Sequence, residues 1–234
     1  LTAEEIRVLN KEEVHGILEK CAGKSVRDLF AVKVFEDYYS KLFPDKNKRI
    51  LDLGSASGTF ISQINQAGHT NCYSVDIDNY LSPANRKLVK EFKTADLSRD
   101  KIPWSDSYFQ AVTAWCVLPH LENPFHCLRE VHRVLENGGL FIFTAPHLTS
   151  KPSMDYFRKH RDFGSYRRTN NHLVLFTPAI ISKTILRYFD LVDTEYHVRP
   201  KIFKNGLRNK IRGVVYESVG RFYPKLQKNL QKKA

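Results

Sequence analysis

Apolar residues change their period several times along this chain, and each change marks an element. Residues 49–53 are an apolar, β-forming run that stops at Gly54-x-x-x-Gly58, and Phe60, Ile61 and Ile64 then fall at helical spacing. The pattern predicts a strand, a tight turn and a helix running to about Ala67 and closed by Gly68. A second strand is expected over residues 71–76, a short helix over 84–92, and an extended step over 93–97 that ends at Asp96-Leu97. Residues 109–115 read as a buried strand, 124–135 as a helix stopped at Asn137-Gly-Gly139, and 140–145 as another buried strand. A helix over 177–188 and a strand over 191–198 follow.

Two amphipathic stretches precede this alternation. Ile6, Val8, Leu9, Val14, Ile17 and Leu18 form one helical stripe, and Val26, Leu29, Phe30, Val34, Phe35, Tyr38, Tyr39 and Leu42 form the next. They predict a helical cap over residues 1–44, either packed on the sheet or acting as a lid with Tyr38 or Tyr39 turned inward. Strands alternating with helices give an α/β fold, a doubly wound and mostly parallel sheet with helices on both faces. Residues 1–234 are expected to form one domain: the cap, a core over 48–198, an insertion over 146–177 and an extension over 199–234. In that fold ligands bind at the carboxyl ends of the strands, where the glycine turn and the acids at 76 and 96 fall.

Residues 146–177 show no clear periodicity and are crowded with His147, Arg158, His160, Arg161, Tyr166, Arg167, Arg168 and His172. A long irregular segment inside a compact domain is usually functional or disordered. Leu207, Ile211, Val214, Val215, Val219 and Phe222 fall near helical spacing beyond it, interleaved with basic residues, although Gly206, Gly213 and Gly220 weaken that helix, and the alternative is that Gly213 to Val219 supplies a closing strand of the sheet.

Composition narrows the setting. With 234 residues, 42% hydrophobic and 26% charged, the chain has the makings of one substantial core. No apolar run approaches about 18 residues, so no membrane-spanning helix is expected. The first residues carry acids and no apolar segment, so no signal peptide is read, and the missing Met suggests a processed start. Cys21, Cys72, Cys116 and Cys127 lack a C-x-x-C pair or a neighbouring His spacing that suits zinc. Reduced structural thiols, no metal and a cytoplasmic setting are expected. From Val198 onward eleven basic residues face the single acid Glu217, so +10 of the formal +12 lies in the tail. A basic amphipathic tail suits an anionic membrane surface, an acidic partner or a packed edge.

On its motifs the chain resembles the class I S-adenosylmethionine-dependent methyltransferases, most nearly the small-molecule group that includes the ubiquinone-biosynthesis enzymes. The resemblance covers residues 48–195 and rests on Ile50-Leu-Asp-Leu-Gly-Ser-Ala-Ser-Gly58, Val75-Asp76, Ala95-Asp-Leu97 and the run from Leu118-Pro-His-Leu through Glu136-Asn-Gly-Gly139. One departure is Ala56, where the family has glycine. The resemblance implies S-adenosylmethionine held by Asp52, Gly54, Ser55, Ala56, Gly58, Asp76, Ile77, Asp96, Leu97 and Trp115. Asp76 is expected on the ribose hydroxyls and Asp96 on the adenine amino group. His120, beyond the fourth strand, is the candidate general base, the alternative being a loop histidine that only contacts the cofactor or packs. Tyr38, His147, Tyr166, Arg167, Arg168 and His172 are candidate acceptor-binding residues, the arginines suiting an anionic or polyhydroxylated group. The expected reaction is methylation of an O or N nucleophile on a small-molecule or lipid- or glycan-linked acceptor, with the protein cytoplasmic or peripheral at a membrane surface. An RNA or protein methyltransferase that binds its substrate through the basic tail is the alternative, less favoured because the tail lacks aromatic residues placed for base stacking.

Overall fold

The computed structural model describes residue 8 and residues 26–167, 170–200 and 213–224. The first amphipathic stripe and Arg168 lie outside the described residues. The described strands form one seven-stranded sheet in the order β3-β2-β1-β4-β5-β7-β6. They are β1 Ile50–Leu53, β2 Cys72–Asp76, β3 Glu91–Thr94, β4 Phe109–Ala114, β5 Leu135–Pro146, β6 Phe189–Pro200 and β7 Gly213–Pro224. β1 to β5 pair in parallel, while β7 runs antiparallel to both β5 and β6.

The helices are α1 Val26–Leu42, α2 Thr59–Gln66, α3 Pro83–Arg86, α4 Pro124–Val134, α5 Lys151–His160 and α6 Pro178–Thr184. Alternate residues of the central strands supply two cores. Leu51, Leu53, Val75, Val112, Phe141 and Phe143 pack with Leu128, Val131 and Val134 of α4. Ile50, Cys72, Ala111, Leu140 and Ile142 pack with Phe35 and Tyr39 of α1 and with Phe60, Ile61 and Ile64 of α2. Strands buried on both faces must be apolar at nearly every position, which is why they read as continuous runs.

The order of the strands reverses between β1 and β4, so the loops that leave these neighbours part and open a crevice at their carboxyl ends. The cap lies over the sheet through Phe35 and Tyr39. Tyr38 donates its hydroxyl to Asp193 Oδ2 on β6 at 2.9 Å, and Lys41 Nζ sits 4.7 Å from its ring centre.

Four elements differ from the sequence reading. The short helix covers only Pro83–Arg86, capped by Ser82, because the chain returns to the sheet when Lys90 N–H donates to Cys72 O; β3 therefore starts at Glu91 and not at 93. β5 begins at Leu135, and the Gly-Gly pair falls inside an irregular strand where the register with β4 shifts. The segment 146–177 contains a regular helix, α5, capped by the Ser150 hydroxyl with proline in its first turn. Within the basic extension, residues 213–224 form β7, so of the two readings left open there the strand beginning at Gly213 holds, running further than Val219, and the amphipathic helix does not: the sheet offers β5 and β6 as partners on both sides, and hydrogen bonding to both outweighs the weak propensity of a glycine-containing helix. Among the described residues no helix is long and apolar enough to cross a membrane.

Candidate functional site

The glycine turn after β1 is shaped for close approach. Gly54 has φ +60 and a Cβ there would lie 2.7 Å from Val117 Cγ2, while Gly58 has φ +80 and a Cβ there would lie 2.8 Å from Leu81 Cδ2. Both positions exclude side chains by conformation and by space. Ala56, between them, also has positive φ, at 48°, which costs an L-residue about 1 kcal/mol. Gly58 caps α2 without a side-chain hydrogen bond, so the helix turns unsatisfied N–H groups toward the crevice.

Asp76 ends β2 and organises this turn. Its Oδ2 accepts from Ala56 N–H at 2.9 Å and its Oδ1 from Ile77 N–H at 2.7 Å. Burial pushes its carboxyl up to about 6 in spite of these two donors. Each oxygen retains a lone pair, so the group can take two further donors from a ligand diol. The hydroxyl of Ser55 pairs with that of Ser74 beneath the turn. Asp52 lies deeper, 2% exposed within β1, with one oxygen accepting from the Thr113 hydroxyl at 2.7 Å. Burial drives it up to about 7, and the charge of Asp76 adds to the shift.

Asp96 follows β3. Its Oδ1 accepts from Ser98 N–H at 2.9 Å, whereas its buried Oδ2 has no hydrogen-bond partner and only a long ion pair, with Arg99 Nε at 3.9 Å. Leu97 beside it belongs to the core. Trp115, at the end of β4, packs on Phe60 and also carries an orphaned buried Nε1. A buried acceptor without a donor is costly and marks where a ligand N–H would be favourable.

The structure gathers a second group at the end of β4. The 3₁₀ turn Leu118–His120 is clasped by residues 171–174, since Leu173 and Val174 N–H both donate to Pro119 O. His120 Nδ1 donates to Asn171 O at 3.1 Å, with Asn171 Oδ1 also against it, and His172 Nδ1 donates to Ser165 O. The two imidazole rings lie 4.4 Å apart, and the Tyr166 ring is 5.2 Å from that of His172. Tyr166 gives its hydroxyl to Val174 O at 3.0 Å, and burial keeps it a neutral phenol. Cys116, which sequence reasoning passed over as a structural thiol, stands among them with Sγ 3.6 Å from His172 Nε2.

The other candidates make contacts of their own. The His147 ring packs on Tyr196, and burial lowers its basicity. Arg167 Nε donates to Gly164 O, and its guanidinium lies 6.0 Å from the Tyr156 ring centre. Tyr38 is engaged with Asp193.

A fit to S-adenosylmethionine can be judged on these residues. The turn holds its backbone in the left-handed region at Gly54 and Gly58, against Val117 and Leu81, Asp76 beside it offers further lone pairs, and Asp96 Oδ2 is a buried acceptor without a hydrogen-bond donor. There is no cationic cradle for phosphates in the glycine turn, and this cofactor carries none. The residues present fit the group.

Comparison with known proteins agrees. Residues 51–143 match the model of a methyltransferase domain. The chain is 24% identical over 161 residues to a demethylmenaquinone methyltransferase of Staphylococcus saprophyticus, covering 64% of this chain and 67% of that protein. It is 25% identical over 147 residues to the ubiquinone/menaquinone biosynthesis C-methyltransferase UbiE of Rickettsia felis, covering 57% of each. A solved structure of a methyltransferase from Thermotoga maritima, described as a possible histamine N-methyltransferase, shares the fold with a TM-score of 0.56 at 16% identity, over 85% of this chain and 87% of that one. With the strand order and the glycine turn, these matches give residues 51–143 as a methyltransferase domain, in a chain similar to the S-adenosylmethionine-dependent methyltransferases of class I.

Proposed function

We propose that the protein methylates a hydroxyl-bearing small-molecule acceptor, with Asp76 and Asp96 holding the cofactor and His120 acting as general base. The observation that carries the base is the tautomer of His120. A backbone carbonyl can only accept, so Asn171 O fixes the proton on Nδ1 and leaves the Nε2 lone pair to take a proton.

When bound, S-adenosylmethionine supplies a methyl carbon already activated by its sulfonium, so positioning lowers much of the barrier. The chain supplies the rest. His120 Nε2 takes the acceptor hydroxyl's proton, and Asn171 O steadies the Nδ1–H of the imidazolium that results. Tyr166, held neutral and committed to Val174 O, serves as a wall and not as an acid. If the hydroxyl is phenolic, deprotonation spreads charge over the oxygen and the adjacent ring carbons. The same base then serves O- or C-methylation, and the names of the two curated relatives support a quinone-precursor type of acceptor.

Incubation of cell extract with labelled methyl donor, followed by separation of small molecules, lipids, protein and RNA, tests the acceptor class. Label in protein or RNA alone would overturn it. His120→Gln should lower turnover by about 10²–10⁴-fold with cofactor affinity unchanged, and full activity would overturn the role of the base. The basic extension supports contact with an anionic surface, tested by co-sedimentation with vesicles containing anionic lipid against neutral vesicles.

A further inference from the structure

We propose that Cys116, His120 and His172 form a three-ligand site for a divalent transition metal of the zinc class. One ring nitrogen from each histidine and the Cys116 sulfur all lie within 4.8 Å of one another. Both imidazoles present the same atom: carbonyls at Asn171 and Ser165 hold their Nδ1 protons, so Nε2 carries the lone pair in each. A carbonyl that accepts from the far nitrogen is the usual way a ligating histidine is oriented and its tautomer set.

The spacing suits zinc. A tetrahedral ion with Zn–S of about 2.3 Å and Zn–N of about 2.05 Å places its sulfur and nitrogen ligands about 3.6 Å apart. Cys116 Sγ and His172 Nε2 are 3.6 Å apart. Cys116 reaches this place because it leaves β4 in the left-handed region, φ 59, with its N–H bound to the Thr144 hydroxyl at 2.8 Å. A thiolate with two imidazoles selects zinc, cobalt or copper over magnesium or calcium, which prefer oxygen. Three protein ligands leave a fourth position for water or another ligand, as in catalytic and not structural sites.

The site stands without any assumption about the acceptor. Its effect on turnover rests on His120 as base: a metal takes the same lone pair, so occupancy should suppress methyl transfer to a hydroxyl.

Titration of the purified chain with Co²⁺ reads the site directly. A thiolate-to-cobalt charge-transfer band should appear at one equivalent and be displaced by Zn²⁺. Cys116→Ser should abolish the band, and His172→Gln should weaken affinity at least tenfold. No band in the native chain, or a band that survives Cys116→Ser, would overturn the proposal. A measurement on the unaltered protein covers failure of the variants to fold. Zn²⁺ should protect Cys116 from iodoacetamide in a peptide map, and equal labelling with and without zinc would overturn the site. If zinc binds and turnover is unchanged, the site stands and the base assignment falls.

Discussion

Asp76→Asn tests the cofactor assignment most sharply, because both carboxylate oxygens are already occupied by the chain. Oδ2 accepts from Ala56 N–H and Oδ1 from Ile77 N–H, so an amide must set its NH₂ against one of these donors. It also removes the charge that would accept two ribose hydroxyls. Each charge-assisted hydrogen bond contributes about 1.5–3 kcal/mol, so losing two weakens affinity by about 10²–10⁴-fold. The native protein carries an independent signature. In the cofactor-free chain burial pushes the Asp76 carboxyl up to about 6, and a bound diol favours its ionised form. Apparent Kd should therefore be flat above pH 7 and weaken about tenfold by pH 5, or ~1.4 kcal/mol, with a proton released on binding. Calorimetric titration with S-adenosylmethionine from pH 5 to 8, in buffers of different ionisation enthalpy, measures both effects. Circular dichroism checks that the variant is folded. Binding by Asp76→Asn within threefold of native, or a native Kd independent of pH over that range, would refute the reasoning.

The remaining predictions concern stability. Asp52 rises from 3.8 to about 7 on folding, so the folded chain holds a proton that the unfolded chain has lost, and stability falls as pH rises through that window. Asp52→Asn, which keeps an oxygen for the Thr113 hydroxyl, should raise the cofactor-free melting temperature at pH 8, by the equivalent of about 4 kcal/mol, and flatten its slope between pH 4 and 7. Ala56→Gly should relieve the left-handed strain, and thermal denaturation is expected to show a gain of about 0.5–1 kcal/mol. Removal of residues 213–234 deletes the strand between β5 and β6, and size-exclusion chromatography with thermal melting should find aggregated or non-cooperative protein. A cooperative melt within a few degrees of the full chain would count against a structural β7.

The parts legible in the sequence are those where one period serves one role. β1, the glycine turn and α2 declare themselves because Ile50 to Leu53 are buried on both faces and Phe60, Ile61 and Ile64 share one face of a helix. Asp76 and Asp96 could be placed because the first ends a strand and the second follows one by two residues. β7 stayed open between strand and helix, since Val214, Val215, Val219 and Phe222 also fit a helix, and only the open edges of β5 and β6 decide between the two. α5 is short of aliphatic residues, and its signal lay in Ser150 and the following proline. The Cys116, His120 and His172 group was hidden by distance along the chain. It forms because residues 171–174 return to clasp the turn at Pro119, a contact that no local period encodes. The sign that was available at Cys116 was its place directly beyond a buried strand, at the end where such sheets do chemistry.

The place of β7 also governs the order in which the chain can fold. It is the last strand in sequence and yet lies inside the sheet, so β5 keeps an unpaired edge while residues 147–212 are being synthesised, several seconds at ordinary elongation rates of about 5–20 residues per second. The cofactor-binding half, β1 to β4, is complete long before that. A nascent chain can thus shape its glycine turn early, but it carries an exposed, apolar strand edge until residues 213–224 emerge. Protection of that edge during translation is a condition of obtaining the native fold.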